Sequence, residues 1–194
     1  MTIYPNWFAK TGQDNFELHL GKFRGKDNLN FLQLGVFTGD ASVWLCENVL
    51  TGKNCSLTDV DTWLGSDDVE VYQSMDMNHV FGTYQEKVLG FSETVRTVRC
   101  ETVDFLKREN EDEDYEFVYV DGDHTAIGVI LDAELVWPQL KVGGILAFDD
   151  YTWGLDLPIH ERPRLGIDFF LERHKHSLTV LAKNSQCWVT KIQR

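Results

Sequence analysis

The chain has 194 residues, 43% of them hydrophobic and 25% charged, which is enough for one domain with a full buried core. Its formal net charge is −13 and no Lys/Arg-rich stripe interrupts the acidity, so a nucleic-acid backbone is excluded as the expected partner. No apolar run approaches the ~20 residues of a membrane span, and no basic segment precedes an apolar one near Met1. Cys46, Cys55, Cys100 and Cys187 form no CxxC or Cys/His cluster, so reduced thiols in a cytoplasmic protein are expected.

Apolar periodicity divides the chain into alternating strands and helices. Asn30–Gly35 reads as a strand ending at glycine, followed by a helix over Ala41–Leu50. Cys55–Val60 is a second strand ending in Asp61. Asp67 to about Phe81 reads as a helix whose early acids suit the positive end of its dipole. Thr94–Cys100 alternates as a third strand, Val103–Lys107 opens a short helix, and the charge run Lys107–Asp114 reads as a solvated loop. Phe117–Val120 is a strand stopping at Asp121, and Ile127–Trp137 is an amphipathic helix closed by Pro138 and Gly143-Gly144. Ile145–Phe148 is the next strand, a helix lies near Leu165–His174, and Thr179–Leu181 and Cys187–Thr190 are the last two strands.

This order predicts an α/β fold, a Rossmann-like doubly wound sheet. Ala182–Gln186 is too short for a parallel crossover, so the last two strands should form an antiparallel hairpin on a mostly parallel sheet. A single domain over 1–194 is expected, with 1–28 as an amino-terminal cap on a core of 29–194.

Four sites carry chemistry. In Gln33-Leu-Gly35-Val-Phe-Thr-Gly39-Asp-Ala-Ser42, a strand, a glycine turn and a helix start let backbone approach a ligand and offer N–H groups to an anion. A plain helix-capping turn has the same look, and the spacing is G-x-x-x-G rather than the G-x-G-x-x-G of dinucleotide folds. Asp61 follows Gly39 by 22 residues, at a separation suited to accepting the hydrogens of a ribose diol, although a helix cap is its plain alternative. Glu101 or Thr102, after the third strand, is the third site: in a nucleotide-binding fold of this kind either could reach a base, and an exposed surface acid is an equally good reading of Glu101. Finally, Asp121-Gly-Asp123-His124 and Asp149-Asp150 end adjacent strands, so four carboxylates should converge. Like charges that close require a cation, shared protons or splaying, and a hard divalent ion such as Mg²⁺ answers this most simply.

On Leu34-Gly-Val-Phe-Thr-Gly39, Val60-Asp-Thr-Trp63, Val120-Asp-Gly-Asp-His124 and Gly143-Gly-Ile-Leu-Ala-Phe-Asp-Asp150, in this order, the chain resembles class I S-adenosylmethionine-dependent methyltransferases. The likeness is greatest to small metal-dependent O-methyltransferases of the catechol and macrocin sugar types. The resemblance implies S-adenosylmethionine contacts at Gln33, Gly35, Gly39, Ser42, Asp61, Glu101, Thr102 and Asp121. It implies a metal, Mg²⁺ or another divalent cation, at Asp149 and Asp150 with Asp121 or Asp123. The macrocin pattern, with metal at Asp123 and Asp121 as base, fits the intact Asp-Gly-Asp better. His124 joins Asp121 and Asp123 as a catalytic candidate or a wall of the substrate site. Gln33 departs from the carboxylate usual in the family.

The function implied is O-methylation of a small hydroxylated acceptor such as a sugar or phenol, with no membrane partner; a homodimer stays open. A nicotinamide-dependent oxidoreductase and a non-catalytic S-adenosylmethionine-binding module are the rival readings. The first is opposed by the glycine spacing and the terminal hairpin, the second by the retained acidic cluster.

Overall fold

A computed structural model describes residues 4–65, 74–108 and 115–193. Seven strands form one sheet: β1 (Asn30–Leu34), β2 (Ser56–Asp61), β3 (Val95–Arg99), β4 (Tyr115–Val120), β5 (Leu140–Phe148), β6 (Leu178–Lys183) and β7 (Cys187–Lys191). Their order is β3-β2-β1-β4-β5-β7-β6. β1 to β5 are parallel, and β7 runs antiparallel to both β5 and β6. This is the mostly parallel sheet with an antiparallel carboxyl-terminal hairpin that strand spacing predicts.

Alternation along the strands loads both faces of the sheet. Leu32, Leu34, Val118, Val120, Leu146 and Phe148 pack on one side against α5 (Thr102–Arg108), α6 (Ala126–Val136) and α7 (Pro163–Arg173). Phe31, Leu57, Phe117, Ile145 and Trp188 pack on the other against α2 (Gln13–His19) and α3 (Asp40–Asn48). α1 (Trp7–Thr11) precedes α2, and α4 (Met77–Val88) adds a smaller cluster of Val80, Tyr84 and Val88 around Trp63. Phe16 is fully buried, with ring centroids 5.0 to 5.5 Å from those of Tyr119, Trp188 and Phe117. The amino-terminal segment is thereby bolted to the sheet; truncating Phe16 to alanine would cost about 3–5 kcal/mol.

Two elements differ from the sequence reading. β5 begins at Leu140, so Gly143 and Gly144 lie within the strand rather than ending the helix before it. Gly143 has φ +84°, and pairing with β4 shifts register between Tyr115 and Phe117. α4 starts at Met77, capped by Asp76, whose side chain accepts from the Asn78 and His79 amides. The predicted start of that helix at Asp67, like most of the Lys107–Asp114 run, lies outside the described residues. Among the described residues, no helix is long and apolar enough to cross a membrane.

Candidate active site

Register brings the parallel strands to a common edge. Leu34 is opposite both Val60 and Val120, and Val120 is opposite Phe148. The next residues, Gly35, Asp61, Asp121 and Asp149, therefore stand in one row at the carboxyl ends, as their strand positions predict. A cleft of about 960 Å³ opens beyond that row. Its walls include Gly35–Phe37, Asp61, Glu101–Val103, Asp121–Thr125, Asp149 and Asp150, with Trp7, Phe8 and Trp153 as aromatic faces.

The glycine turn is shaped by close approach. Gly35 has φ +83°, and a Cβ there would lie 2.1 Å from the Asp121 carbonyl oxygen, so no other residue fits without displacing β4 from β1. Asp61 braces the turn: its Oδ2 accepts from the Val36 and Phe37 amides at 2.7 and 3.0 Å, and its Oδ1 from Trp63 N at 2.7 Å. One acceptor position of Oδ1 remains for a ligand, not the two that a diol would use.

Gln33, Gly39 and Ser42 lie beneath the turn and not on the cleft wall. The Gln33 amide donates to the Gly35 carbonyl at 3.0 Å, and Ser42 Oγ donates to Gln33 Oε1 at 3.2 Å. Beside Gln33 on β2 is Asp59, fully buried, with its Oδ2 accepting from the Tyr84 hydroxyl at 3.0 Å. Burial pushes the Asp59 carboxyl up to about 7 against the opposing influence of the Ser42 and Tyr84 hydroxyls.

At the other end of the row, Asp121, His124 and Asp150 each offer a ligand atom within 4.8 Å of the others. His124 Nε2 is 3.1 Å from Asp150 Oδ2, and the imidazole lies against the Trp153 ring. Asp150 sits at φ +57°, a conformation that aspartate tolerates at some cost. Asp149 turns the other way: its Oδ2 accepts from Tyr119 at 2.8 Å and its Oδ1 from the Gln186 amide at 2.9 Å. Burial, then Asp149 and Asp150, holds Asp121 well above the ordinary carboxylate range, with His124 opposing. Burial also raises Asp149, followed by the charge of Asp150. Such a pair keeps a proton between its members unless a cation takes its place.

Asp123 stands apart from that cluster. Its Oδ1 accepts from Thr125 N at 2.7 Å, and the carboxylate lies over Gly128, where a Cβ would come within 2.0 Å of it. The sequence reading grouped Asp123 with Asp149 and Asp150; the geometry groups Asp121 and His124 with Asp150. That reading also passed over Tyr119 and Gln186, which have no local signal, and Asp132, which has one: it is an acid inside the apolar helix Ala126–Val136.

The sequence pattern of a family described as "Methyltransferase domain" matches residues 32–151, which hold the whole row from Gly35 to Asp150. The chain belongs to this family. Its methyltransferase domain is that of a class I, S-adenosylmethionine-dependent enzyme, in agreement with the sheet order. No curated protein matches it in sequence. Solved structures share its fold. MycE methyltransferase from the mycinamycin biosynthetic pathway, in complex with Mg, SAH and mycinamycin VI, is 15% identical with TM-score 0.62; the match covers 99% of this chain and 51% of that one. An O-methyltransferase from Bacillus cereus in complex with SAH is 15% identical with TM-score 0.59, covering 98% and 83%. An rRNA methylase from Streptococcus thermophilus is 12% identical with TM-score 0.59, covering all of both chains.

Proposed function

We propose that this methyltransferase transfers the methyl group of S-adenosylmethionine to a hydroxyl of a small acceptor, with a divalent cation beside the reacting oxygen. The observation that carries the reading is the meeting of Asp121, His124 and Asp150 in the same cleft as the Gly35 turn and Asp61. The two carboxylates, Asp121 and Asp150, supply the oxygen ligands that Mg²⁺ prefers, and the His124 imidazole beside them is left for proton transfer. Asp149 supports them from behind through Tyr119 and Gln186. Asp123, Glu101 and Thr102 line the wall on the cofactor side.

S-adenosylmethionine supplies an electrophilic methyl group on a sulfonium and leaves as the neutral thioether. A divalent cation would lower the pKa of the acceptor hydroxyl and fix its direction. The chain itself aligns and deprotonates. Gly35 and Asp61 set the turn that cradles the methyl donor, and Trp7, Phe8 and Trp153 exclude water from the acceptor. His124 Nε2, facing Asp150, is the base that takes the hydroxyl proton, a role worth ~10²–10⁴-fold in rate.

An RNA acceptor, suggested by the rRNA methylase likeness, is opposed by charge. Seven of the described residues lining the cleft are acidic and none is Lys or Arg, on a chain of net charge −13. The test is methyl transfer from labelled S-adenosylmethionine to catechol and sugar probes, with Mg²⁺ and with chelator, after calorimetry with S-adenosylhomocysteine. Binding with Mg²⁺-dependent transfer supports the reading. No affinity for S-adenosylhomocysteine overturns it.

A further inference from the structure

The cleft runs along the sheet edge from Asp121, His124 and Asp150 at β4 and β5, past Gly35 and Asp61 at β1 and β2, to Thr102 and Val103 beyond β3. With the reacting centre at the first end and a ribose at Asp61, the nucleoside base falls at the last. That end has Val103 and Leu131 as apolar walls, with Gly128 between them covered by the Asp123 carboxylate. Its polar edge is Thr102, whose hydroxyl donates to Asp132 Oδ1 at 2.7 Å.

A threonine hydroxyl has one hydrogen, and here Asp132 holds it. What Thr102 offers to a ligand is then acceptor only. Asp132 itself is 1% exposed, and its Oδ2 has no hydrogen-bond partner, an arrangement that is costly to keep on the buried side of a helix. Burial pushes its carboxyl up to about 7, with the Thr102 hydrogen bond opposing and Asp123 and Glu101 adding to the rise, so it is an ionised acceptor in mildly alkaline solution.

We propose that Asp132 is a positioning residue that locks Thr102 as a hydrogen-bond acceptor, so that the cleft selects a purine bearing an exocyclic amino group and rejects one bearing a carbonyl there. This rests on the S-adenosylmethionine reading above and adds a residue that decides base specificity. A site built around an acceptor leaves it facing another acceptor when the amino group is replaced by oxygen, and such mismatches discriminate far better than changes of size.

The experiment is titration calorimetry at pH 8 with S-adenosylhomocysteine and its hypoxanthine analogue, S-inosylhomocysteine. The wild type should prefer the adenine compound by about tenfold or more. D132L frees the Thr102 hydrogen and should bring the ratio close to one. T102V removes the reader and should do the same, which keeps the test valid if D132L folds poorly, and the double variant should add nothing further. A wild type that binds both compounds equally, or a folded D132L that retains the wild-type ratio, overturns the proposal while leaving the methyltransferase reading intact. A wild type that binds neither compound overturns that reading, and the proposal with it.

Discussion

His124 Nε2 lies 3.1 Å from Asp150 Oδ2, joining the helix side of the β4 turn to the tip of β5. The two side chains come from strands that are neighbours only because β4 and β5 are parallel and in register. With Asp121 they turn a row of strand ends into a centre able to hold a cation and move a proton.

Removing one ligand should separate chemistry from donor binding. D150N leaves the Gly35 turn and Asp61 untouched, so affinity for S-adenosylhomocysteine should change less than about threefold, while Mg²⁺-dependent methyl transfer falls ~10²-fold or more. Parallel calorimetry and initial-rate assays check this. Equal losses in both would mean that Asp150 serves the fold rather than the reaction.

Tyr119 donates to Asp149 from a fully buried position. Y119F should cost about 1–2 kcal/mol in denaturant unfolding, the worth of one buried hydrogen bond to a carboxylate. Turnover should drop several-fold with donor affinity unchanged, because Asp149 loses one of the two groups that hold it behind Asp150.

Gly35→Ala places a methyl group against the Asp121 carbonyl at φ +83°. Backbone strain and overlap together should cost about 2–5 kcal/mol, and the variant should bind S-adenosylhomocysteine weakly. A thermal melt within a degree of wild type would contradict the close approach.

Asp59 makes stability depend on pH. Its folded pKa of about 7 exceeds the ordinary value of 3.8, so the folded state binds the proton more tightly than the unfolded chain does. That stabilisation is complete below the ordinary value and is lost as pH rises through about 7. D59N should therefore gain on the wild type between pH 5 and pH 8.5, by about 2–4 kcal/mol in chemical denaturation. A constant difference across that range would show that Asp59 does not titrate there.

Much of this was legible in the sequence, for physical reasons. The row Gly35, Asp61, Asp121, Asp149 follows from where apolar strands stop, since parallel strands in register end together. The terminal hairpin follows from a link too short to cross the sheet. Which way a carboxylate turns was not legible. Asp123 leans over Gly128 because Thr125 N draws it there, and Asp149 turns to Gln186, which is 37 residues away and held in turn by Asn15. Such choices depend on partners brought in by tertiary packing. The brace that Asp61 gives to the turn, and the buried Gln33–Ser42 bond, were hidden for the same reason.

The account depends on the methyl donor's sulfur lying beside the Asp121–His124–Asp150 cluster, with its base at the far end of the cleft. Manganese-induced relaxation of the proton resonances of bound S-adenosylhomocysteine measures this directly. The protons flanking sulfur should relax faster than the adenine protons, and the effect should disappear in D150N. Adenine protons relaxing as fast or faster, with S-adenosylhomocysteine bound, would contradict the arrangement.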